Sequence, residues 1–441
     1  MRINRAPKPV EQLAFIIPRN KHCISKTDIS NNALKVVNRL NSAGFQAYIV
    51  GGGVRDLLLH KAPKDFDVAT NATPNEVRNL FRNGRIIGRR FKLVHILFHR
   101  EIIEVATFRG HDMVDASHQT NERGMLVRDN VFGSLDEDAW RRDFTINSLY
   151  YCAKESSIID FTGGVQDVQD KTIRMIGDPV TRYKEDPVRM LRAVRFAAKL
   201  HFTLSSETKA PFPKISHLIT HVSNSRLFDE MIKLYQCGES QAVQKLLIEY
   251  GLFEHLFPQT NALFNTDYPV NALLNIALEN TDTRIHSEKP VTPAFIFAVI
   301  LWFPMVELSK KLQTEGIDPL PSIEKAMSIT IAEQNKIVSI PKRYTQVMRE
   351  IWLLQYRFDK RLGGRAFNLL SHPRFRAAYD FMAIRALAGD EAMELAEWWT
   401  SFQEVTEEER LEMVKQITAT SPIKPKRKRR SKPKPKPKVE E

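Results

Sequence analysis

The sequence predicts an α+β fold: an N-terminal head with a small mixed β-sheet, followed by an all-helical neck and body and a disordered basic tail. Strand-like runs alternate with helical patterns up to about residue 165, which is typical of a mixed sheet covered by helices. From about residue 205 to 416, apolar residues recur at helical spacing almost throughout. Near the C-terminus, the run K-P-K-R-K-R-R-S-K-P-K-P-K-P-K has no apolar residue with which to build a core.

A chain of 441 residues is too long for one ordinary core, so two or three folded domains are expected. Three scattered cysteines without metal-ligand spacing indicate reduced thiols, and no apolar run approaches the roughly 20 residues of a membrane span. We therefore expect a cytoplasmic monomer with no integral membrane association. The pattern divides into a flexible arm (1–27), the head (28–165), the neck (166–240), the body (241–416) and the tail (417–441).

The net charge of +13 is unevenly placed along the chain. Residues 421–441 contain ten lysines and arginines and two glutamates, and so contribute +8 of it. Such a run is either a solubilising extension or a tether for a polyanion. Because the preceding residues are also basic, we favour a nucleic-acid tether over an anionic membrane surface.

Two helices of the head are predicted from their caps. Asp28 or Ser30 can cap the first, and Gly44 ends it. The sequence T-P-N-E at 73–76 is a capping box with proline at the first helical position, and it predicts the start of a second. The apolar positions of the first helix, at helical spacing, are Ile29, Ala33, Val36, Val37 and Leu40.

The stretch around which the head is organised begins with a buried strand at 48–50. Three glycines, Gly51, Gly52 and Gly53, come directly after it, and a helical pattern begins at once over 54–59. Glycines at such a junction let the backbone approach a ligand closely, and the helix N-terminus presents unpaired N–H groups to an anion such as phosphate. A lone G-G-G is more often an ordinary turn, so its significance depends on the residues that come after it.

A second predicted strand carries Asp65 and Asp67. Side chains two apart on a strand share a face, so both carboxylates point one way while Phe66 and Val68 point the other. Two neighbouring carboxylates repel each other unless a cation lies between them, and hard oxygen ligands suit Mg²⁺. A phosphate-binding turn followed by paired carboxylates predicts metal-assisted phosphoryl or nucleotidyl transfer.

Three further strands are predicted at 85–87, 93–98 and 102–108. Within the last, Glu104 lies between Ile103 and Val105, which alternate to the other face. Glu104 is therefore either an edge residue facing water or a metal ligand beside the two aspartates. Residues 111–130 are polar and are predicted to form a mobile loop.

Residues 138–151 are predicted to form a helix with Trp140, Phe144 and Tyr151 buried. Asp143, beside two arginines, is by spacing alone best interpreted as part of a surface ion pair. The sequence D-F-T-G-G at 160–164 predicts a turn that ends the head.

The neck is predicted to open with a helix that Asp186 caps and Pro187 begins. Arg189, Arg192 and Arg195 form its basic side. The later helices carry many cations interleaved with aromatic residues, for which RNA backbone contact is a reasonable hypothesis beside a plain solvated surface. The further predicted helices are 227–236, 241–250, 293–308, 344–356, 364–387 and 391–403.

Four motifs carry a resemblance to a known family. G-G-G-V-R-D (51–56) followed by D-F-D-V (65–68) resembles the bacterial class of the nucleotidyltransferase superfamily that contains poly(A) polymerases and CCA-adding enzymes. R-R-D-F-T-I-N (141–147) and E-D-P-V-R (185–189) are similar to two more motifs of that superfamily. The stretch G-R-R-F-K-L-V-H-I (88–96) resembles the signature that separates the bacterial poly(A) polymerases from their CCA-adding relatives.

The resemblance implies roles for named residues. Asp65, Asp67 and Glu104 would hold two Mg²⁺ ions, and Asp143 is a second candidate for the catalytic acid group. Arg89, Arg90 and Lys92 would serve the RNA or the triphosphate, although three cations on a turn are by default a solvated face. The nucleotide-binding candidates are Gly51, Gly52, Gly53, Arg55, Asp56, Arg142, the base-reading Glu185, Asp186 and Arg189, and Arg192 and Arg195 near the triphosphate.

The function implied is template-independent addition of AMP from ATP to RNA 3′ ends, with pyrophosphate released and the RNA marked for decay. RNA-decay and RNA-chaperone proteins are then expected partners. The nearest alternative is a CCA-adding enzyme, against which stand the G-R-R-F stretch and the basic tail. A further alternative is a non-catalytic head that serves as an RNA-binding adaptor, against which stands the intact set of three carboxylates.

Overall fold

The computed structural model of the chain describes residues 14–88, 92–110 and 132–420, and at 418–420 it describes the backbone alone. The first part of the predicted arm, Arg89 and Arg90, the loop predicted at 111–130 and the predicted disordered tail from residue 421 lie outside the described residues.

The head is built on one sheet. Its strands are β1 (Phe15–Ile17), β2 (Ala47–Val50), β3 (Asp67–Thr70), β4 (Gly84–Ile87), β5 (Leu93–Phe98), β6 (Glu101–Thr107), β7 (Leu149–Cys152) and β8 (Ser157–Asp160). Their order across the sheet is β1-β8-β7-β2-β3-β6-β5-β4. β3 and β6 are parallel, and the other neighbours are antiparallel. The predicted α+β head with a mixed sheet is confirmed. A separate parallel pair is formed by β9 (Thr172–Ile173) and β10 (Thr203–Leu204).

Helices make up most of the described chain after the sheet. Those of the head and neck are α1 (Asn31–Ser42), α2 (Gly52–Leu58), α3 (Pro74–Leu80), α4 (Leu135–Arg141), α5 (Gly164–Gln169), α6 (Pro179–Glu185), α7 (Val188–Leu200), α8 (Ser206–Lys209), α9 (Phe212–Ile215) and α10 (Asn224–Tyr235). Those of the remaining chain are α11 (Ser240–Glu249), α12 (Phe253–Leu256), α13 (Pro258–Asn261), α14 (Val270–His286), α15 (Pro293–Ile300), α16 (Trp302–Thr314), α17 (Pro319–Asn335), α18 (Lys342–Phe358), α19 (Arg365–Leu370), α20 (Phe375–Leu387), α21 (Met393–Glu404) and α22 (Glu407–Thr420).

The caps predicted for the first helices are present. The Ser30 hydroxyl accepts hydrogen bonds from two backbone N–H groups of the first turn of α1. The apolar stripe of α1 is fully buried under the sheet. At α3, the Thr73 hydroxyl accepts from the Glu76 N–H at 3.4 Å, and the Glu76 carboxylate accepts from the Thr73 N–H at 2.7 Å. That reciprocal pair is the predicted capping box.

Two predictions of local structure are wrong. The flexible arm predicted over 1–27 is too long, because the apolar residues 15–17 already pair with β8 as an edge strand. The single helix predicted over 138–151 is instead the end of α4, a short turn and β7, and Trp140 is only half-buried. The run L-Y-Y-C that forms β7 is rich in aromatic residues, which favour strands.

Two of the later helices were predicted as single helices, whereas each is broken into two in the structure. The helix predicted at 293–308 is broken at Leu301 into α15 and α16, and Pro304 lies in the first turn of α16. The helix predicted at 364–387 is broken into α19 and α20 around Pro373. Proline tolerates a helix start and disfavours a helix interior, so both breaks follow from the sequence.

The chain divides into two compact units, residues 1–345 and 346–441. The described part of the second unit has its own core, in which the indole N–H of Trp399 donates to the Phe358 carbonyl at 3.1 Å. The other large buried side chains of this core are Leu354, Leu369, Phe375, Tyr379, Met382, Leu395 and Phe402.

In the described residues no single helix has the length and apolar character to cross a membrane. Helices α15 and α16 meet that test only as a pair, and the two are bent by 50° from each other.

The turn predicted at 160–164 is built around a buried carboxylate. Asp160 is 2% exposed and accepts four backbone hydrogen bonds, from the N–H groups of residues 162–165 at 2.9–3.1 Å. A Cβ on Gly164 would overlap the backbone carbonyl of Thr145. The turn therefore packs directly on the loop that carries Asp143, and only glycine fits at position 164.

We predict that Gly164→Ala lowers the free energy of unfolding by about 1–3 kcal/mol, because the added methyl group meets backbone that cannot rotate away. Gly364→Ala is the matched control, since nothing lies within 4 Å of a Cβ there. That variant is expected within about 0.5 kcal/mol of the parent. Urea unfolding of both variants measures the difference, and equal stabilities would contradict the packing argument.

Candidate active site

The glycine turn brings the backbone close to the side chain of Arg142. Gly51 has φ 70° and ψ −130°, and its N–H donates to the Leu149 carbonyl at 3.1 Å. A Cβ on Gly51 would lie 3.3 Å from the Arg142 Nη1 atom. A larger residue at this position would therefore be strained and would displace the guanidinium.

Two of the three predicted carboxylates lie side by side on paired strands. Asp67 opens β3 and is in parallel register with Glu104 of β6, whose flanking residues Ile103 and Val105 are buried on the opposite face. Asp65 does not lie on the strand as predicted; it precedes β3 by two residues and is exposed. His95 of β5 is in register with Glu104 from the other side, with its Nε2 atom 3.4 Å from Oε2 of Glu104.

The pKa of Asp67 shows that negative charge concentrates here. Burial, followed by the charges of Glu104 and Asp65, raises the pKa of Asp67 from 3.8 to about 6, and only Arg142 opposes the shift. All three carboxylates therefore interact, although Asp65 is outside the strand. A carboxylate whose ionised form is disfavoured by its neighbours is one that a cation would stabilise.

The residues supply oxygen donors of the kind Mg²⁺ prefers. Across the described ranges, however, no group of three His, Cys, Asp or Glu side chains is close enough to hold a metal ion. The side-chain set of Asp65, Asp67 and Glu104 is thus chemically suited to a divalent cation but is not drawn together into a ligand cage.

Arg55 and Asp56 of the glycine motif bond within the protein. Arg55 is 4% exposed, and its guanidinium donates to Asp56 Oδ1 at 2.6 and 2.9 Å and to Asn147 Oδ1 at 2.6 Å. Arg55 therefore joins the start of α2 to the loop after α4. The structure does not present its charge to solvent.

Arg142 is held in place by a buried network. It donates to Asp138 Oδ2 at 3.0 and 3.2 Å and to the Tyr150 hydroxyl at 3.0 Å, and that hydroxyl donates to Asp138 at 2.7 Å. Burial opposes the charge of Arg142, but Tyr150 and Asp138 outweigh burial and raise its pKa. Arg142 is therefore a fixed cation between the glycine turn and Asp67.

Asp143 contacts an arginine of the neck. Arg192 of α7 donates to Asp143 Oδ2 through Nε at 2.7 Å and lies 2.5 Å from it through Nη2. The Phe144 N–H and the Asn147 amide also donate to Asp143. Although burial favours the neutral acid, Arg192 and these hydrogen bonds hold the pKa of Asp143 below its usual value. The geometry favours a permanently ionised anchor for Arg192.

The two acids of the E-D-P-V-R segment pair with different arginines. Glu185 accepts from Arg182 and Arg189, each at 2.9 Å. Asp186 accepts from Arg226 at 2.6 Å and from the Val188 N–H at 3.3 Å. The second bond confirms Asp186 as a cap of α7. The structure thus brings Glu185 and Arg189 together and directs Asp186 towards α10.

Arg182 is a site residue that the sequence reasoning missed. It is 9% exposed, and its Nη2 atom donates to the backbone carbonyls of Arg141 and Arg142 at 2.5 and 2.7 Å. Its Nη1 atom donates to Glu185. One side chain therefore links the end of α4 to the E-D-P-V-R segment. Its position three residues before Glu185 on a helix was the available signal.

Cations outnumber acids around these contacts. Arg55, Arg192 and Arg195 surround the Phe196 ring, with guanidinium carbons 5.4, 5.5 and 4.8 Å from its centre. Burial, and then the neighbouring arginines Arg109, Arg182, Arg189 and Arg142, lower the pKa of Arg141 to about 9. Such a concentration of positive charge suits a polyphosphate ligand. Lys92 is exposed, and Arg89 and Arg90 lie outside the described residues.

Comparison with known proteins identifies the family. Three family models match the chain: the Poly A polymerase head domain over residues 47–174, the probable RNA and SrmB-binding site of polymerase A over 201–264, and the polymerase A arginine-rich C-terminus over 315–434. Poly(A) polymerase I of Escherichia coli O6:H1 is 52% identical over 397 residues, which cover 88% of this chain and 85% of the relative. The chain belongs to the bacterial poly(A) polymerase family. Poly(A) polymerase I of Salmonella typhi is 50% identical over 411 residues, covering 91% of this chain and 88% of the relative.

A solved structure shares the fold. The crystal structure of the Bacillus stearothermophilus CCA-adding enzyme in complex with CTP has a TM-score of 0.55 and 26% identity, and the match covers 84% of this chain and 81% of that one. The resemblance inferred from the four motifs is confirmed, and identity is about twice as high to the poly(A) polymerases as to this CCA-adding enzyme. The family makes this chain a nucleotidyltransferase.

We predict that Asp67→Asn stabilises the metal-free protein above pH 6. The folded-state pKa of about 6 exceeds the ordinary 3.8, so ionisation of Asp67 lowers the stability of the folded protein. This destabilisation is absent below about pH 4, grows between pH 4 and pH 6, and is complete above about pH 6. The expected gain at pH 7.5 is about 1–2 kcal/mol, below the full value of the shift because solvent screens a partly exposed group. Melting in EDTA at pH 7.5 and pH 5 tests this, and a gain that does not shrink at pH 5 would contradict it.

We predict that Arg182→Lys reduces discrimination between ATP and CTP. A lysine ammonium keeps the charge but cannot hold two carbonyls and Glu185 in one planar fork. The ratio of kcat/KM for ATP over CTP should fall severalfold, while the melting temperature falls less than it would for Arg182→Ala. Arg174→Lys is the matched control, since Arg174 pairs with Asp167 and Glu207 away from Glu185. If Arg182→Lys leaves the ratio of kcat/KM for ATP over CTP unchanged, the positioning role of Arg182 is contradicted.

Proposed function

We propose that this chain is a template-independent poly(A) polymerase that transfers AMP from ATP to RNA 3′ ends, releases pyrophosphate and so marks RNAs for decay. The observation that carries the proposal is identity of 52% to a Poly(A) polymerase I across 88% of the chain. The register of Asp67 with Glu104 supports it, because that pairing supplies adjacent carboxylates where metal-assisted nucleotidyl transfer requires them.

Asp65, Asp67 and Glu104 are the residues that would hold Mg²⁺. Their oxygen-only donors fit this ion, and their mutual repulsion is what a divalent cation relieves. Two Mg²⁺ ions bound there would neutralise the triphosphate and lower the pKa of the terminal 3′ hydroxyl of the RNA. The β-ladder fixes Asp67 and Glu104 relative to each other, so this part of the site is rigid before substrate arrives.

The transfer needs no covalent protein intermediate. The RNA 3′ oxygen attacks the α-phosphorus of ATP, the bond from that phosphorus to the bridging oxygen of the β-phosphate breaks, and the hydroxyl proton passes to water. Arg142 beside Gly51 and the arginines around Phe196 supply fixed positive charge for the triphosphate. We expect Asp143 to orient Arg192 rather than to serve as the catalytic acid group, because its carboxylate is already bonded to that arginine.

Glu185 and Arg189 are suited to recognise the base. In the described chain, the hydrogen bonds of Glu185 use Oε2, which leaves Oε1 to accept from an exocyclic amino group. The remaining N–H groups of Arg189 can donate to a ring nitrogen. On the Watson–Crick edge, adenine and cytosine both present an amino donor beside a ring-nitrogen acceptor, whereas the ring nitrogen of guanine and of uracil carries an N–H donor there. Glu185 and Arg189 would therefore accept both adenine and cytosine. Discrimination between these two bases would depend on how the E-D-P-V-R segment is positioned.

We predict that the purified protein, given Mg²⁺, generic RNA and single nucleotides, forms long tracts only from ATP. Asp67→Asn should lower that activity by at least about 10³-fold, because one of the two strand-borne carboxylates is lost. Glu333→Gln is the control, since Glu333 is an exposed partner of Lys336. Its activity is expected to match the parent.

Other outcomes would select a rival function. The likeness to a CCA-adding enzyme solved with CTP makes that activity the specific alternative. Incorporation of CTP on tRNA lacking its 3′ end, with no long tract from ATP, would replace the proposal by CCA addition. RNA binding without metal-dependent ATP turnover would indicate a non-catalytic adaptor.

A further inference from the structure

The second unit contains a basic hollow formed by residues other than the carboxylates and arginines of the candidate active site. It has a volume of about 530 Å³ and is lined by Arg357, Lys360, Arg365, Asn368 and Leu369. Leu369 is 4% exposed and forms its apolar floor, whereas the three cations and the amide are exposed at its rim. The end of α18, the connection after it and α19 form the walls. The size lies within the range of small-ligand pockets.

The three cations of this hollow differ from Arg374, Arg376 and Arg385 of the same unit, which pair with carboxylates. Within the described part of that unit, Arg357, Lys360 and Arg365 have no carboxylate within ion-pair distance. By contrast, Arg374 pairs with Glu350 at 2.8 Å, and Arg376 pairs with Asp380 at 2.8 Å. Three like charges around one hollow repel one another, and an anion placed among them would remove that repulsion.

A stacked aromatic pair contacts Arg361, the chain neighbour of Lys360. Arg361, which comes directly after Lys360, places its guanidinium 5.2 Å from the centre of the Trp398 ring. Trp398 is half-buried and stacks on Phe402 at 4.7 Å. Cations that follow a phosphate backbone, next to aromatic and guanidinium planes on which bases stack, are typical of surfaces that bind single-stranded nucleic acid.

We propose that the hollow lined by Arg357, Lys360 and Arg365 binds a backbone phosphate of single-stranded RNA. The RNA bound there is the part upstream of the growing end, because the 3′ nucleotide must lie at Asp67 and Glu104. The Asn368 amide supplies an uncharged donor to a phosphate oxygen, and Arg361 on Trp398 supplies a plane for a neighbouring base. The hollow then holds substrate between additions and contributes to RNA affinity without entering the chemistry. The inference rests on the proposed function for the identity of the polymer.

The test compares two double variants with equal loss of charge. Arg357→Gln with Arg365→Gln removes two cations from the hollow, and Arg374→Gln with Arg376→Gln removes two that already have carboxylate partners. Fluorescence anisotropy with a labelled single-stranded RNA, without ATP, gives the dissociation constant at several salt concentrations. The hollow variant should bind at least about 10-fold more weakly, and its salt slope should fall by about 0.7 for each RNA phosphate that the protein no longer neutralises. The control variant should stay within about twofold of the parent.

A conservative variant separates charge from folding. Arg357→Lys with Arg365→Lys keeps both charges and should retain most of the RNA affinity. All variants should have the same melting temperature as the parent protein. Unchanged RNA affinity and salt slope in the glutamine variant would overturn the inference, as would an equal loss in the control variant. Competition by inorganic phosphate or anionic vesicles that equals competition by RNA would also overturn it, since the hollow would then be a general anion site.

Kinetics distinguish this inference from the proposed function. The hollow variant should raise the KM for a long RNA severalfold, leave kcat unchanged and leave the KM for ATP unchanged. If the parent adds A tracts and the hollow variant binds RNA normally, the inference fails while the function stands. If the parent adds no nucleotide and the hollow variant still loses RNA binding, the function fails while the inference stands.

Discussion

The arrangement of the candidate site depends on two strands of the head that hold like charges next to each other. The parallel pairing of β3 with β6 places Asp67 beside Glu104, and the backbone hydrogen bonds of the sheet prevent the two from separating. The raised pKa of Asp67 reflects the energetic cost of this arrangement. Active sites commonly retain such destabilising charge because the substrate or its metal ion relieves it. The two carboxylates are carried by strands that are hydrogen-bonded to each other, which limits how far the charges can move apart.

Two of the arginines near these carboxylates are fixed by other acids. Arg142 is held by Asp138, and Arg192 is held by Asp143. Each guanidinium thus keeps a defined position although the local charge is strongly positive. Preorganised cations of this kind stabilise developing negative charge without rearranging during the reaction. Arg192 and the hydrogen bonds to Asp143 likewise hold the pKa of that carboxyl below its usual value, which suits an anchor for Arg192.

Local patterns in the sequence were sufficient for much of the head and part of the site. The period of two around Glu104 and the capping box at Thr73 depend on near neighbours, and both are present as predicted. The segment 138–151 could not be resolved this way, because its helical beginning and its strand-forming end share one aromatic-rich pattern. The position of Asp65 before the strand depends on where pairing starts, which is set by partner strands.

Contacts between residues that are far apart in the sequence were the second limit on what could be predicted. Arg182 meets the carbonyls of residues about 40 positions earlier, and His95 meets Glu104 only because β5 pairs with β6. A local pattern of apolar and polar residues does not indicate which distant residues will meet. The separation of the three hollow cations from any described carboxylate is likewise a property of the folded second unit. Sequence reasoning found the cation-rich helices but had no means of telling paired arginines from unpaired ones.

The fork of Arg182 has a consequence for how this enzyme can evolve. The Arg182 guanidinium bonds both to the backbone of Arg141 and Arg142 and to Glu185. If Arg142 meets the triphosphate and Glu185 meets the nucleobase, as proposed, this side chain would couple the two ends of the incoming nucleotide. Under that proposal, a replacement at Glu185 or Arg189 that alters nucleobase preference would also disturb the segment after α4. A switch of substrate within this scaffold would then need coordinated replacements at both ends of the Arg182 side chain.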